Sequence, residues 1–258
     1  MKTDVVEVRM RVAAHPATVF RFLSDPDRFR QWMGDATLGT AVGEPLTVRY
    51  PDGGSAIGTI EELVPDKRLV FSWGYSDPAK NLPPNTSRVA IDLAPIPSGT
   101  LITLRHSGLT RETARNHAMG WRHYLSTLAN AAASVTALAG SAVDSYQAAW
   151  AERDPAKRAA LVAQCWDANA IFRDAMGYAE GRDDLTDYIG AAQSFAPNIA
   201  FERLGPLLHA HGHINYRWRM VAPDGSVMMT GNNVGELSPD GLFLSMTGFW
   251  DPPTPASA

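Results

Sequence analysis

The chain has 258 residues, of which 45% are hydrophobic and 19% charged, and its formal net charge is −4. That length predicts two domains of ordinary size, each with its own core. The slight acidity and the absence of a dense Lys and Arg cluster argue against nucleic acid as a partner. The single cysteine, Cys165, excludes an internal disulfide and a cysteine-based zinc site.

The first residues of the chain bear on its cellular location, and the last residues bear on its flexibility. Residues 1–4 lead directly into an alternating segment, without the apolar stretch of a signal peptide or a membrane span. With the lone cysteine, this predicts a cytoplasmic protein that binds no membrane. The proline-rich segment 251–255 predicts an extended appendage, so residues 252–258 are expected to form a flexible tail.

The first half begins with a strand and ends with a long helix. Val6, Val8, Met10 and Val12 alternate with charged residues, which predicts a strand with one buried face. Short helices are predicted over 16–23 and 29–33, followed by strands over 46–50, 57–63, 69–73, 89–93 and 101–104. Apolar residues at spacings of three and four then predict a helix over 112–133. A long helix on a twisted sheet can leave a pocket at one end.

Several of these segments also resemble a known family over residues 3–133. The segments are the first strand, 16–20, Asp25-Pro26, Trp32-Met33, and Gly120-Trp121 in the long helix. They resemble the START-related SRPBCC superfamily, in the branch of the heat-shock-protein-90 ATPase activator homologues. The resemblance implies a sheet wrapped around a C-terminal helix, and a domain that binds a ligand, over 1–134. It does not specify a reaction, because only some members are enzymes.

Aromatic and histidine side chains of the first half are candidates for a pocket lining. The predicted ligand-binding residues are Trp32, Trp73, Tyr75, His106, Trp121 and Tyr124. Aromatics at such spacings also occur in solid cores, which is the alternative interpretation. His117 is a further candidate contact, although a capping or solvent-facing role is favoured for it.

The second half has the order helix, helix, strand, helix and four strands. Residues 131–141, rich in Ala, Ser and Gly, predict a helix end and a linker, with a domain boundary near 134–141. Helices are predicted from 143 to 150, from 155 to 166 and from 181 to 189, with a short strand over 170–174. Strands over 201–209, 214–221, 227–237 and 242–249 are separated by turn signals.

This order resembles the nuclear transport factor 2-like superfamily, in particular its SnoaL-like polyketide-cyclase relatives, over residues 141–251. The residues that carry the resemblance include Tyr146, Ala149-Trp150, Asp154, Asp174, Gly181, Arg217-Trp218, Asp224-Gly225, Gly231, Gly241 and Phe249. The resemblance implies a cone-shaped α+β domain with an open mouth. The whole chain is therefore predicted to be α+β, with two domains over 1–134 and 141–251. Members of this family include isomerases, cyclases, hydrolases, dehydratases and many proteins that only bind.

Asp174 is the candidate catalytic residue. It shares strand parity with Phe172, so its carboxylate is expected among aromatic side chains, where it could accept or donate a proton. The alternative is that Asp174 caps the turn at Met176-Gly177. Trp150, Trp218 and Asn232 are candidate ligand contacts in the same domain. Trp218 alternates with Arg217 and Arg219 and could equally belong to the core.

Metal and cofactor chemistry are not expected. His209, His211 and His213 could converge on a metal, but Gly212 predicts a bend and no carboxylate accompanies them, so loop histidines are favoured. The chain has no Gly-x-Gly-x-x-Gly, phosphate-binding loop, Gly-x-Ser-x-Gly or His-Glu-x-x-His motif. Any catalysis would then be proton transfer or driven by binding, and would need no cofactor.

The leading hypothesis is a protein that binds a small apolar or polyketide-like compound and assists an isomerisation, cyclisation or hydration through Asp174. One alternative is a protein that binds or sequesters the ligand without turnover. Another is a protein-interaction or chaperone-cofactor module. A homodimer is expected by analogy with both families.

Overall fold

A computed structural model describes residues 4–252 of the chain. Contacts between Cα atoms divide it into two units, with the division between Ala133 and Ser134. Both units combine helices with a largely or wholly antiparallel sheet, so the predicted α+β class is confirmed. The predicted tail over 252–258 lies, beyond Pro252, outside the described residues.

Unit 1 consists of a seven-stranded antiparallel sheet, two short helices and one long helix. Its strands are β1 (Asp4–Val12), β2 (Ala36–Leu38), β3 (Pro45–Arg49), β4 (Ser55–Val64), β5 (Arg68–Trp73), β6 (Ser87–Ile96) and β7 (Gly99–Leu109). Its helices are α1 (Pro16–Ser24), α2 (Pro26–Met33) and α3 (Arg111–Ala137). The spatial order of the strands is β1-β7-β6-β5-β4-β3-β2.

Local chemistry explains where the short helices begin. Pro16 and Pro26 occupy the first turns of α1 and α2, where a missing N–H costs nothing. The Asp25 side chain accepts hydrogen bonds from the backbone N–H groups of Asp27 and Arg28, which caps α2. The three-residue strand β2 was not predicted, because so short a segment shows no periodicity.

The core of unit 1 forms where α3 packs on the sheet. Trp121, Leu125 and Leu128 of α3 are buried in one cluster with apolar residues of β4 to β7. The rings of Trp121 and Trp73 lie with centroids 5.4 Å apart, which joins the helix to β5. The apolar stripe predicted from spacing is thus the face that the sheet covers.

Unit 2 has three helices and a six-stranded mixed sheet. Its helices are α4 (Ser141–Ala151), α5 (Pro155–Cys165) and α6 (Gly181–Phe195). Its strands are β8 (Trp166–Arg173), β9 (Tyr178–Glu180), β10 (Ala200–Ala210), β11 (His213–Val221), β12 (Val227–Leu237) and β13 (Phe243–Trp250). The order is β10-β11-β12-β13-β8-β9, and only β13 and β8 run parallel among these strands.

Two boundaries differ from the sequence prediction. Helix α3 continues four residues past Ala133, and Ala137 is buried in the core of unit 2. Trp166 was predicted to be the end of a helix. It is instead the first residue of strand β8, because it pairs with Phe243 of β13. Both differences arise from tertiary contacts that local periodicity does not encode.

Within residues 4–252, no helix is long and apolar enough to cross a bilayer.

Candidate functional site

An apolar cavity in unit 2 has a volume of about 550 Å³ and lies between the sheet and helices α4 and α6. Its walls are mainly aromatic and aliphatic. The lining residues are Tyr146, Gln147, Trp150, Asp174, Met176, Tyr188, Ala191, Ala192, Phe195, Ala196, Ile199, Phe201, Tyr216, Trp218, Met220, Met228, Met229, Asn233 and Trp250. A cavity of this size can hold a drug-sized molecule.

Asp174 is the only carboxylate among these lining residues. It follows the last residue of β8, and its Oδ1 accepts hydrogen bonds from the backbone N–H groups of Met176 and Gly177, both at 2.8 Å. The Tyr188 hydroxyl lies 2.9 Å from Oδ1 and 3.0 Å from Oδ2. The turn and the α6 phenol therefore fix the orientation of the carboxylate, and Oδ2 keeps more of its accepting capacity than Oδ1.

Tyr188 connects the carboxylate to the aromatic wall. Its ring centroid lies 5.2 Å from that of Phe172 and 6.1 Å from that of Trp150. Burial, followed by the adjacent Asp174 charge, raises the pKa of Tyr188. Tyr188 therefore remains protonated at neutral pH and acts as a hydrogen-bond donor to Asp174.

A second polar group in the cavity is a chain of three hydrogen-bonded side chains. The Trp218 indole Nε1–H donates to Asn233 Oδ1 at 3.0 Å, and Asn233 Nδ2–H donates to the Tyr216 hydroxyl oxygen at 2.9 Å. All three side chains are buried. Burial raises the pKa of Tyr216, so its hydroxyl keeps its proton. Since this oxygen already accepts from Asn233, the O–H of Tyr216 can serve as a donor.

Gly248 of β13 separates the two polar groups. A Cβ placed there would lie 3.2 Å from Asp174 Cβ and 3.2 Å from Asn233 Oδ1. The carboxylate and the amide therefore flank the same backbone position. The cavity thus combines one carboxylate, which Tyr188 contacts, with the hydrogen-bonded side chains of Trp218, Asn233 and Tyr216.

The structure places three of the four candidates of the second half in this lining: Asp174, Trp150 and Trp218. Asn232 lies on the opposite face of β12, because side chains alternate along a strand, and the adjacent Asn233 faces the cavity. Tyr188 and Tyr216 were not predicted as site residues. Strand alternation with Trp218 could have indicated Tyr216.

Unit 1 contains a smaller cavity of about 110 Å³ at one end of the contact between α3 and the sheet. Its lining residues are Tyr50, Trp73, Tyr75, Asn116, His117, Gly120, Trp121 and Tyr124. Four predicted candidates, Trp73, Tyr75, Trp121 and Tyr124, are therefore together. Two others, Trp32 and His106, are not part of this lining.

Trp32 and His106 have their polar atoms satisfied inside the core. The Trp32 indole N–H donates to the carbonyl of Phe22 at 2.8 Å. His106 Nδ1 accepts from the Trp121 indole N–H at 2.9 Å, and Nε2 lies 2.8 Å from Ser87 Oγ. Because an indole only donates, the imidazole proton is on Nε2 and is donated to Ser87. Both side chains lie in the core of unit 1, outside the lining of this cavity.

Burial lowers the pKa of His106 to about 3, with a smaller contribution from His117. The ring is therefore neutral at physiological pH and cannot activate Ser87, because its Nε2 already carries the proton. His106 has a structural role, which is to satisfy the Trp121 indole within the core.

His117, for which a capping or solvent-facing role was favoured, lies in the lining of the unit 1 cavity. Its Nδ1 lies 2.7 Å from the carbonyl of Thr113, so it is the protonated nitrogen, and its Nε2 accepts from the Tyr75 hydroxyl at 3.2 Å. Burial lowers the pKa of His117. His117 therefore lines the unit 1 cavity as a neutral acceptor for Tyr75.

His209, His211 and His213 lie at the hairpin that joins β10 to β11. His211 and Gly212 have φ of 50° and 87°, which gives a tight two-residue hairpin turn. The His209 imidazole Nε2 accepts from the Gly212 backbone N–H at 2.8 Å. Between residues 4 and 252, no group of three or more His, Cys, Asp or Glu side chains has a metal-binding arrangement.

Fold and cavities together define a two-unit α+β protein in which each unit has an aromatic-lined cavity. Residues 13–133 match the family model described as Activator of Hsp90 ATPase homolog 1-like protein. Comparison with curated proteins gives no match.

Solved structures resemble about half of the chain each. A candidate isomerase of the SnoaL-like family from Agrobacterium tumefaciens is 29% identical, with 46% of this chain and 99% of that one covered and a TM-score of 0.43. A protein from Mesorhizobium loti is 25% identical over 48% and 93% of the two chains, with a TM-score of 0.44. The Aha1 dimer from Colwellia psychrerythraea is 19% identical over 49% and 93%, with a TM-score of 0.42.

Proposed function

We propose that the unit 2 cavity binds a small apolar or polyketide-like molecule and that Asp174 transfers a proton to or from it. The observation that carries the proposal is a single carboxylate in a mainly apolar and aromatic lining that also contains buried hydrogen-bond donors. Such a lining binds by burying apolar surface, and the few polar groups set the orientation of the ligand.

The proposed chemistry needs no cofactor. Oδ2 of Asp174 would take a proton from a carbon next to a carbonyl, or return one, while the Tyr216 O–H or the Asn233 amide would stabilise the negative oxygen that forms. Tyr188 would hold the carboxylate in place as a positioning residue. Isomerisation, cyclisation and hydration all include a proton transfer of this kind.

Native mass spectrometry of the protein purified from its own host is the first test. A small molecule that travels with the full chain supports binding. The Asp174→Asn variant then tests catalysis, because the amide keeps the shape of the side chain but cannot take up the proton. Turnover lost by at least about 100-fold with ligand affinity retained supports the proposal; unchanged turnover contradicts it.

A non-catalytic binding protein is the second candidate function. One observation favours it: Oδ1 of Asp174 accepts from two backbone N–H groups, which is the geometry of a turn cap. In that case Asp174→Asn would weaken the turn and the stability of unit 2, and the bound molecule would be recovered chemically unchanged after incubation with the wild-type protein.

We also propose the identity of the two units and their assembly. By the resemblances above, residues 1–134 are an SRPBCC/START-like domain and residues 141–251 a SnoaL-like domain. A homodimer through a sheet face is proposed by analogy with both families, and Phe249 of β13, which is 55% exposed, lies on the sheet face opposite the cavity. Light scattering that gives the mass of one chain, 28.0 kDa, would contradict the dimer.

A further inference from the structure

The lining of the unit 2 cavity has a buried end and an exposed end of different chemistry. The buried end carries hydroxyl, indole and amide groups, on four side chains that are at most 8% exposed: Tyr146, Tyr216, Trp218 and Asn233. The exposed end carries no polar atom besides thioether sulfur on its three large side chains, which we call the lip: Met176, Phe195 and Met228.

The lip is formed by three segments that are distant in sequence. Met176 lies in the turn between β8 and β9, Phe195 is the last residue of α6, and Met228 lies in β12, and they are 68%, 88% and 54% exposed. A single exposed apolar side chain is ordinary on a protein surface. Three that line one cavity from separate segments form a shared apolar surface at its mouth, which indicates contact with an apolar group.

The buried end is polar but uncharged. Trp218 donates to Asn233, which donates to the hydroxyl oxygen of Tyr216. Burial raises the pKa of both Tyr146 and Tyr216, so the two phenols remain protonated at neutral pH. A charged group of a ligand would find no counter-ion at this end, and its desolvation would disfavour binding. A neutral oxygen could accept a hydrogen bond there.

This arrangement determines the direction in which an amphiphilic ligand fits. A molecule with one oxygenated end and one apolar end makes its hydrogen bonds only if the oxygenated end enters first. Its apolar end then lies at the mouth, where the lip removes it from water. The unbranched side chains of Met176 and Met228 can adapt to chains of different shape.

We propose that the unit 2 cavity takes neutral amphiphiles whose oxygenated end binds among Tyr216 and Asn233 and whose apolar chain lies against the lip. Phe195, the most exposed member of the lip, is then a residue that determines specificity for the chain. This inference rests on the proposed function, because it gives a class and an orientation to the ligand of the same cavity.

Two isomeric probes test the orientation in the full chain: 2-acetyl-6-hexylnaphthalene and 2-heptanoyl-6-methylnaphthalene. They have the same atoms, but only the first has its carbonyl near one end and its chain at the other. The first should bind about three to ten times more tightly, because only it can reach the buried end and the lip together. Quenching of tryptophan fluorescence measures both affinities.

The Phe195→Ser variant tests the lip. It should weaken binding of 2-acetyl-6-hexylnaphthalene by at least about threefold, and binding of the short 2-acetyl-6-methylnaphthalene by less than about 1.5-fold. Leu208→Ser is the matched control, because Leu208 of β10 is 57% exposed and is not part of the lining. It should leave both affinities unchanged.

The Tyr216→Phe variant tests the buried end. Loss of the hydroxyl should weaken binding of the acetyl isomer by about three- to tenfold and remove its advantage over the heptanoyl isomer. An advantage that persists in this variant would contradict the role given to Tyr216.

Equal affinities of the two isomers, with Phe195→Ser and Leu208→Ser indistinguishable, would overturn the orientation and leave the cavity as a binding site. Failure of both isomers to bind would overturn the ligand class. Neither result decides the role of Asp174, which the turnover of Asp174→Asn measures separately.

Discussion

Buried His106 makes the stability of unit 1 depend on pH. His106 is 0% exposed and its pKa is lowered from 6.5 to about 3. As the pH falls below 6.5, the unfolded chain takes up a proton at His106 that the folded chain does not bind. The contribution of His106 to the free energy of unfolding is therefore complete above pH 6.5 and is lost as the pH falls toward 3.

The expected loss at His106 between pH 7 and pH 5 is about 2 kcal/mol of unfolding free energy. Between the same pH values, the unfolding free energy of the His106→Gln variant should fall by about 2 kcal/mol less than that of the wild type. Glutamine can accept from Trp121 and donate to Ser87 without titrating. Urea unfolding of both proteins at the two pH values measures the difference. His117 is present in both proteins, so its contribution to the pH dependence cancels in the comparison. Equal pH dependence in the two proteins would refute the role given to His106.

Asn233 and Asn232 are neighbours in sequence with different surroundings. Asn233→Ala leaves the buried Trp218 indole donor without its acceptor, which should destabilise unit 2 by about 1–3 kcal/mol. Asn232→Ala, on the outer face of β12, should change stability by less than about 0.5 kcal/mol. Denaturant midpoints of the two variants measure the contrast, and similar losses would contradict the assignment of Asn233 to the cavity face.

At the scale of elements, two glycines show opposite constraints. Gly120 is inside α3 and has free space at its Cβ position, whereas a Cβ at Gly58 of β4 would lie 1.8 Å from the carbonyl oxygen of Ser72. Gly120→Ala should stabilise the helix by about 1 kcal/mol through helix propensity. Gly58→Ala should destabilise the sheet by about 1–3 kcal/mol through overpacking. Thermal unfolding followed by circular dichroism checks both signs, and a lower Tm for Gly120→Ala would show that the helix needs glycine there.

At the scale of the whole molecule, the division between units does not coincide with a helix end. The two cores are formed by separate sets of residues, and the last turn of α3 belongs to the second set through Ala137. Thr136 Oγ1 also donates to the carbonyl of Pro239 at 3.5 Å. A fragment that starts at residue 134 therefore keeps contacts that a fragment starting at residue 140 lacks.

We expect the fragment 134–258 to unfold cooperatively with a Tm at least about 4 °C above that of 140–258, the shift that roughly 1 kcal/mol produces in a domain of this size. Circular dichroism melts of the two fragments measure it. Identical Tm values would mean that the end of α3 adds nothing to unit 2.

Much of this architecture follows from local patterns in the sequence. Alternating apolar and charged residues predicted β1, and apolar residues three and four positions apart predicted α3. Proline and glycine residues predicted most of the turns. These patterns succeed because each element must bury one face, and a buried face leaves a periodic trace. Element ends were less predictable, as Trp166 and Ala137 illustrate, because partners distant in sequence decide them.

The sequence by itself determined the α+β class, the two-unit organisation and the aromatic residues that could surround a cavity. Only the tertiary structure decided that Tyr188 donates to Asp174, that Asn233 and not Asn232 faces the unit 2 cavity, and that the buried Trp73 indole N–H has no acceptor among the described residues. The reason is physical. Side-chain partners depend on strand register and helix placement, and a shift of one residue exchanges the two faces of a strand.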